Sequence, residues 1–345
     1  MIGIIRKVTI VLVVLLLLIG LISGGLVWWC ALRENISGEG SYTLLVRPAE
    51  SIDDVMDRLE NDKVLSSDDS FESLVVLLQH YDGCEIRPGR YILKPGMRNI
   101  DVVRKLRHGW QEPVRLVINS MRLPENFAAS VGRQLMYDSA AVMAFISDTA
   151  QMSALGLSYE NLFANIVENT YEVWWTETPS ELFARLVREK DKFWSRSDRA
   201  ARAEKLGLSP EEVCIVASIV DGESHYKPEL PTIAGLYINR LRKGMLLQSD
   251  PTVKFALRDF AKKRILNADL RCDSPYNTYM YKGLPPGPIC LPNQSTIEAV
   301  LNAENTHYIY MCADASLNGT HRFAVTEAEH ARNAAAYHKA IRGLR

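Results

Sequence analysis

The feature that most constrains this chain is an uncharged apolar segment near its N-terminus. Val8–Trp29 contains 22 residues without a charge. As a helix rising about 1.5 Å per residue, such a segment is long enough to cross a hydrocarbon core of about 30 Å. A cleaved signal peptide has a shorter apolar core and a small-residue cleavage site, whereas this segment ends in Trp28 and Trp29, which suit a membrane interface. We therefore predict a retained transmembrane helix over residues 8–30.

The charges that flank this helix predict its orientation. Arg6 and Lys7 precede it, while Glu34 and Glu39 follow it. By the positive-inside rule, residues 1–7 form a cytoplasmic tail and the chain beyond the helix lies outside the cytoplasm. We expect a single-pass protein of the cell (inner) membrane whose folded part is extracytoplasmic (periplasmic).

Composition argues against several other classes of function. The formal net charge is -1 and no run of Lys or Arg occurs, so the chain lacks the electrostatic pattern of a nucleic-acid-binding protein. The six cysteines show no CxxC spacing, and the seven histidines do not form an HExxH motif. We therefore expect no metal and no cofactor.

Residues 31–41, with the polar stretch Glu34–Ser41, predict a linker that holds the folded part near the membrane. A small α+β module is expected over residues 42–111. Ser51, with Asp54 three residues later, has the spacing of a capping box at a helix start. The predicted elements of the module are strand Tyr42–Val46, helices Ser51–Asp62 and Ser70–Tyr81, strand Gly89–Leu93 and helix Asn99–Gly109.

Residues 112–345 predict a larger, mainly helical domain with a few strands, so the chain as a whole is of the α+β class. Two candidate strands lie near its end, Tyr308–Cys312 and His321–Val325. A final helix follows, where Thr326 and Glu329 have capping-box spacing.

One helix of this domain contains the strongest candidate for chemistry. Ser209, Pro210 and Glu212 predict a well-fixed helix start, with an N-cap, a first-turn proline and a capping box. Glu223 then extends the apolar stripe of this helix, which comprises Val213, Val216 and Val220. A carboxyl on an apolar face is desolvated, so its pKa rises and it can stay protonated as a general acid.

Asp221 lies two positions earlier and points to roughly the opposite side if the helix continues, so the two acids need not act as a pair. Gly222 could also end the helix before Glu223. The alternative is that both carboxylates solvate a frayed helix end, as surface acids commonly do.

Two later segments, Leu236–Leu257 and Ser274–Ser295, are rich in Asn, Gln, Tyr, Pro and Gly. Such residues predict rigid loops that carry amide and aromatic groups. Amides and hydroxyls bind sugar hydroxyls, and Tyr rings offer an apolar face, so these loops suit a glycan. A purely structural turn is the alternative for the proline-rich piece.

The sequence resembles the MltG-type (YceG-like) endolytic murein transglycosylases from about Tyr42 to the C-terminus. The resemblance is carried by "ASIVDGES", "INRLRKGMLLQSDPTV", "YNTYMYKGLPPGPICLP" and "THRFAVTEAEH", in the family's order and spacing. It implies a LysM-like N-terminal module and a YceG-like catalytic domain over residues 112–345. "NTYEVWW" (Asn169–Trp175) also resembles the family's segment before the catalytic helix.

The resemblance implies that Glu223 is the catalytic acid. The chain departs from the usual family pattern at Asp221 and Gly222 and in the segment "INSMRLPENF". It further implies cleavage of the β-1,4 bond between N-acetylmuramic acid and N-acetylglucosamine in peptidoglycan glycan strands, with 1,6-anhydro ends and without a metal. Termination or trimming of nascent strands, and peptidoglycan synthases as partners, follow from the same resemblance. The implied substrate-binding residues are Asp221, Ser224, Asn239, Arg240, Gln248, Ser249, Asp250, Tyr276, Asn277 and Tyr279.

Two rival functions remain open at this point. "SHYK" (Ser224–Lys227) matches the S-x-x-K of penicillin-binding proteins, but the S-D-N and K-T-G partners are absent from the sequence. The non-enzymatic alternative is a membrane-anchored, non-catalytic peptidoglycan-binding scaffold with a vestigial acid. His321 and His330 are interpreted as structural or substrate-facing residues rather than metal ligands.

Overall fold

A computed structural model describes residues 2–343 of the chain, which form two compact units. The first unit contains the chain up to Arg115 together with Glu172–Glu177. The second contains Leu116–Tyr171 and the chain from Thr178 onward.

The chain begins with a long apolar helix, α1 (Ile2–Val27), which continues as a π-helical turn over Trp28–Leu32. Most apolar side chains of α1 are exposed. Among the described residues, this is the one helix long and apolar enough to cross a membrane, so the structure is compatible with the predicted anchor. The helix starts earlier than predicted, because Arg6 and Lys7 of the expected tail are helical; Met1 lies outside the described residues.

Two strands and three helices form the compact part of the first unit. β1 pairs antiparallel with β2, from Tyr42 opposite Leu93 to Val46 opposite Gly89. The capping box of Ser51 and Asp54 is confirmed. These elements are β1 (Tyr42–Val46), α2 (Ile52–Asn61), α3 (Asp68–Asp82), β2 (Gly89–Leu93) and α4 (Asn99–His108).

The end of the apolar helix is built into the core of this unit. Cys30 and Ala31 are buried with its hydrophobic core. The fully buried Asn99 donates to the Cys30 carbonyl at 2.9 Å and accepts from Asn35 Nδ2 at 2.8 Å. The first residues of the predicted 31–41 linker therefore pack with the module, because Asn35 and Ile36 are buried.

The remainder of the chain is mainly helical. β3 pairs with β4, and β5 pairs antiparallel with β6, starting with Tyr310 opposite Ala324. The elements are β3 (Val114–Ile118), α5 (Pro124–Gly132), α6 (Ser139–Ser147), α7 (Thr149–Ala154), β4 (Asn169–Val173), α8 (Pro179–Ser195), α9 (Arg199–Leu206), α10 (Pro210–Glu223), α11 (Leu230–Arg242), α12 (Asp250–Leu257), α13 (Gln294–Leu301), β5 (Tyr310–Ala313), β6 (His321–Ala324) and α14 (Glu327–Arg342).

Helix α10 runs through the core of the second unit and fixes the candidate site. Every residue from Val213 to Val220 is buried, and α11 and α13 pack against the helix. Its start has the predicted capping box, with Ser209 as N-cap and Pro210 in the first turn. The helix continues through Gly222 to Glu223, so the glycine does not end it.

The mixed, helix-rich architecture with few strands and one N-terminal apolar helix is confirmed, while the LysM-like character of the module stays a prediction. The rigid loop expected within Leu236–Leu257 is confined to residues 243–249, because α11 extends to Arg242 and Asp250–Leu257 forms α12. Asp250 and Pro251 provide an ordinary helix start there. At α14, Thr326 caps the helix as expected. The predicted capping box is incomplete, because Glu329 Oε2 accepts from the Val325 N–H instead of the Thr326 N–H.

Candidate active site

Glu223 occupies the last turn of α10. The apolar stripe of Val213, Val216 and Val220 is fully buried, and Glu223 follows it as a partly buried carboxyl. Ser224 ends the helix in an extended conformation, and its N–H still donates to the Val220 carbonyl at 3.2 Å. A rigid core helix therefore holds the acid in place, which a catalytic carboxyl requires.

The two oxygens of this carboxyl differ in their surroundings. Oε1 accepts a hydrogen bond from Tyr237 Oη at 2.7 Å and another from Ser249 Oγ at 2.5 Å. No side chain or backbone group among the described residues donates to Oε2. A proton on this carboxyl therefore belongs on Oε2, the oxygen that is free to meet a ligand.

Desolvation raises the pKa of Glu223 above its usual range. The hydrogen bonds from Ser249 and Tyr237 oppose this rise, because both donors stabilise the carboxylate form. The Asp250 charge adds to the rise, and His321 opposes it. The site thus favours the protonated acid while providing donors that stabilise the anion once the proton has left.

A polar cavity of about 230 Å³ opens at this carboxyl. Ser249 is fully buried and reaches Glu223 from a wall of the site. The cavity is lined by Glu223, Leu236, Tyr237, Arg240, Leu247, Gln248, Asp250, Tyr279, Met311, Cys312, Ala313 and His321.

A second carboxylate, Asp250, shares this cavity. Its Oδ1 accepts a hydrogen bond from Tyr279 Oη at 2.7 Å. Burial and this bond raise the pKa of the Tyr279 hydroxyl, so it remains a neutral donor.

An imidazole on the cavity lining is oriented by a carboxylate behind it. His321 Nδ1 lies 3.0 Å from Glu229 Oε2, and the His321 backbone N–H donates to Glu229 Oε1 at 2.9 Å. Because a carboxylate oxygen can only accept, this pairing keeps a proton on Nδ1 and fixes the orientation of the ring at the cavity.

Arg240 ties together the chain segments that form the cavity. It is 7% exposed, and Nε donates to the Ile309 carbonyl at 2.6 Å. Nη1 donates to the Leu247 carbonyl at 3.0 Å and to Gln248 Oε1 at 3.1 Å. Gln248 has a φ of 54°, a left-handed conformation that non-glycine residues rarely adopt outside constrained or functional sites.

The structure places the predicted Asp221 away from this cavity. Its Oδ2 accepts from the Asn293 backbone N–H at 2.8 Å, and its Oδ1 accepts from the Thr296 hydroxyl. Because these groups begin α13, Asp221 stabilises a helix N-terminus, as an acid does there.

Four further predicted residues make local structural contacts and do not line the Glu223 cavity. Ser224 Oγ accepts from the Tyr226 backbone at 3.0 Å. Asn239 donates to the Thr306 and Tyr308 carbonyls. Asn277 is fully buried, where it donates to the Leu270 and Cys272 carbonyls. Tyr276 packs on Phe255, with ring centroids 4.7 Å apart.

The sequence analysis does not identify Tyr237 or Glu229 as parts of this site. Tyr237 lies in the middle of α11 among buried apolar residues and reads as a core aromatic. A buried tyrosine needs a hydrogen-bond partner, which is the one signal that singles it out. Within residues 2–343, no group of three or more His, Cys, Asp or Glu side chains is arranged to hold a metal ion.

Comparisons with known proteins agree on one family. The sequence model described as the YceG-like family matches residues 44–336. An endolytic murein transglycosylase of Bacillus subtilis (strain 168) is 26% identical over 329 residues, which cover 90% of this chain and 89% of that protein.

An endolytic murein transglycosylase of Streptococcus pneumoniae serotype 2 is 26% identical over 282 residues, 73% of this chain. The match spans 50% of the streptococcal protein. Among solved structures, a crystal structure of a yceG-like protein from Listeria monocytogenes superposes with a TM-score of 0.51 and 26% identity. It covers 86% of this chain and 99% of the Listeria chain.

Proposed function

The chain belongs to the YceG-like family, and on that premise we propose that it is a membrane-anchored endolytic murein transglycosylase. Its substrate is the glycan strand of peptidoglycan, and the bond cleaved is the β-1,4 bond from N-acetylmuramic acid to N-acetylglucosamine. The names of the Bacillus and Streptococcus relatives support this activity. The observation that carries the proposal is the Glu223 carboxyl, which is held through Oε1 and free at Oε2 in an open cavity.

In the first step, Glu223 Oε2 donates its proton to the glycosidic oxygen as the bond from the muramic acid C1 breaks. The raised pKa keeps the proton available for this transfer. Negative charge then develops on the carboxylate. Tyr237 and Ser249 stabilise this charge through the hydrogen bonds that already reach Oε1.

In the second step, the same carboxylate removes the proton from the C6 hydroxyl of the muramic acid, and O6 bonds to C1. One C–O bond breaks and one forms, the proton returns to Glu223, and no water is consumed. A hydrolase would need a second carboxylate to activate water or attack C1. Here the nucleophile is tethered to the substrate, so one acid is sufficient and orientation supplies much of the rate advantage.

The other cavity residues serve binding in this proposal. Asp250 and Tyr279 offer a carboxylate and a hydroxyl for sugar hydroxyls, while Arg240 and Gln248 fix the wall between them. The His321 imidazole adds a polar ring whose orientation Glu229 sets.

The apolar helix supports anchoring in the cell membrane, and the charge asymmetry around it supports a site outside the cytoplasm. A reporter fused after the last residue tests this topology. Activity of a reporter that works only in an extracytoplasmic compartment is expected, and activity of a cytoplasm-only reporter would overturn the orientation. The LysM-like module, binding to synthases and the trimming of nascent strands belong to the same proposal.

Digestion of purified glycan strands by the full-length chain in detergent tests the activity. We expect the wild-type protein to shorten the strands. The cleavage rate of Glu223→Gln should be lower by about 10²–10⁴-fold, because the substitution removes proton transfer while keeping the size of the side chain. Glu204→Gln, an exposed acid on α9, is the matched control and should retain full activity. A wild-type chain that binds strands without shortening them would instead be a scaffold.

A further inference from the structure

A second cavity, of about 290 Å³, borders the same end of α10. Asp221 and Gly222 line the second cavity, and Glu223 lines the first. Likewise, Pro251 lines the second cavity and Asp250 the first. A Cβ added to Gly222 would lie 2.7 Å from Pro251 Cβ, so these two segments are in close contact. They form a thin partition between the two cavities.

The lining of the second cavity contains two cationic side chains that form no ion pair within the described part of the chain. Arg122 and Lys254 line it beside His225, and neither cation has a carboxylate partner among residues 2–343. Asp221 is the one acid on its lining, and both of its oxygens already accept hydrogen bonds at the start of α13. The Glu223 cavity, by contrast, contains on its described lining the acids Glu223 and Asp250 beside the single cation Arg240, so the second cavity is the better site for an anionic group.

Aromatic rings form an apolar wall beside these cations. The Arg122 guanidinium lies 5.0 Å from the centre of the Phe260 ring, and the Phe255 and Phe260 rings are 6.4 Å apart. Stacking on a ring orients a guanidinium while leaving its N–H edges free, which is the arrangement that binds a carboxylate through two parallel hydrogen bonds. The cavity therefore suits a carboxylate attached to a small apolar group.

We propose that this second cavity binds a carboxylate of the peptide attached to muramic acid. The inference rests on the proposed function, since the second cavity adjoins the cavity in which the glycan would bind. The peptide combines free carboxylates with small apolar side chains, which match the cations and the rings. The cavity thus makes cleavage depend on peptides: strands that carry them are better substrates than bare strands.

The test measures kcat/KM of the full-length chain in detergent on two sets of glycan strands, both freed of phosphate-containing polymers. One set keeps its peptides, and the other has been stripped of them by an amidase. We expect wild-type protein to prefer the peptide-bearing strands. Arg122→Gln/Lys254→Gln should lower kcat/KM on those strands by about tenfold or more, as for the loss of one charge-assisted hydrogen bond. Its rate on bare strands should be unchanged.

Two further variants separate charge at this cavity from charge in general. Lys243→Gln/Arg332→Gln removes one lysine and one arginine at exposed positions outside both cavities, and it should keep the preference. Arg122→Lys/Lys254→Arg keeps both charges at the cavity and should retain most of the preference for peptide-bearing strands. Thermal melting of each variant establishes that it is folded.

The possible results distinguish the peptide site from the proposed transglycosylase function on which it rests. Equal wild-type rates on both substrates, or a preference that survives in folded Arg122→Gln/Lys254→Gln, would overturn the peptide site and leave the transglycosylase intact. Wild-type protein that cleaves neither substrate would overturn the proposed function itself. Equal losses on both substrates would assign the two cations to general strand binding and reject the peptide site.

Discussion

Replacing Tyr237 by Phe tests how the site sets the acidity of Glu223. Tyr237 is 2% exposed, so Phe keeps the ring packing and removes only the hydroxyl that donates to Oε1 at 2.7 Å. That hydroxyl stabilises the carboxylate form, and burial keeps the pKa of Tyr237 itself well above its usual value, so it stays a donor throughout. Its loss should therefore raise the pKa of Glu223 further.

The expected size follows from the contact. A hydrogen bond to a charged group contributes about 1.5–3 kcal/mol, and one pKa unit corresponds to about 1.4 kcal/mol, so the shift is about one to two units. Cleavage starts from the protonated acid, so kcat/KM falls as pH rises through the pKa of Glu223 in the free enzyme. The alkaline limb of the pH profile should move upward by that amount.

The assay is kcat/KM on soluble glycan strands over the pH range in which the chain stays folded. Ser249→Ala should move the limb in the same direction, because Ser249 donates to the same oxygen. Tyr171→Phe is the matched control, since Tyr171 is also buried and its hydroxyl donates to the Val167 carbonyl, so its profile should not move. An unchanged or lowered limb in folded Tyr237→Phe would refute this account of the acid.

Three further predictions concern stability. Because the folded pKa of Glu223 is raised, its ionisation weakens the fold as pH rises above the unfolded value, so Glu223→Gln should melt higher than wild type near neutral pH and equal it in acid. A melting temperature of Glu223→Gln below that of the wild type at neutral pH would contradict this. Asp221→Asn should lower the free energy of unfolding by about 1 kcal/mol, because one hydrogen bond at the start of α13, such as that from the Asn293 N–H, is lost. Its activity should fall far less than that of Glu223→Gln. An unchanged free energy of unfolding in denaturant would show that Asp221 does not cap α13. Asn99→Ala should destabilise the first unit by about 2 kcal/mol or more, because the buried Asn35 amide loses an acceptor; proteolysis of this unit at the wild-type rate would contradict that.

Elements with strong local signals could be predicted from the sequence. β1 and β2 have the predicted bounds because alternating apolar residues between turn residues mark them. The start of α10 is defined by Ser209 and its capping box, and its apolar stripe continues to Glu223. The orientation of that acid follows from helix periodicity alone.

Contacts between distant segments could not be predicted in this way. Glu229 pairs with His321 from 92 positions away in the chain, and no local pattern signals that contact. Asp221 is predicted from the sequence as a substrate-binding residue, whereas its contacts in the fold depend on α13 packing against α10. The buried Asn99 explains why the predicted linker begins inside the module, since its partner Asn35 lies within that linker.

The most direct test of the central claim is the mass of the new glycan ends released by the wild-type chain. Attack by O6 predicts 1,6-anhydromuramic acid ends, lighter by one water than reducing ends, and their loss in Glu223→Gln. Reducing ends from the wild-type protein would show that water attacks C1, which would make Asp250 the candidate second carboxylate of a hydrolase and contradict the one-acid mechanism.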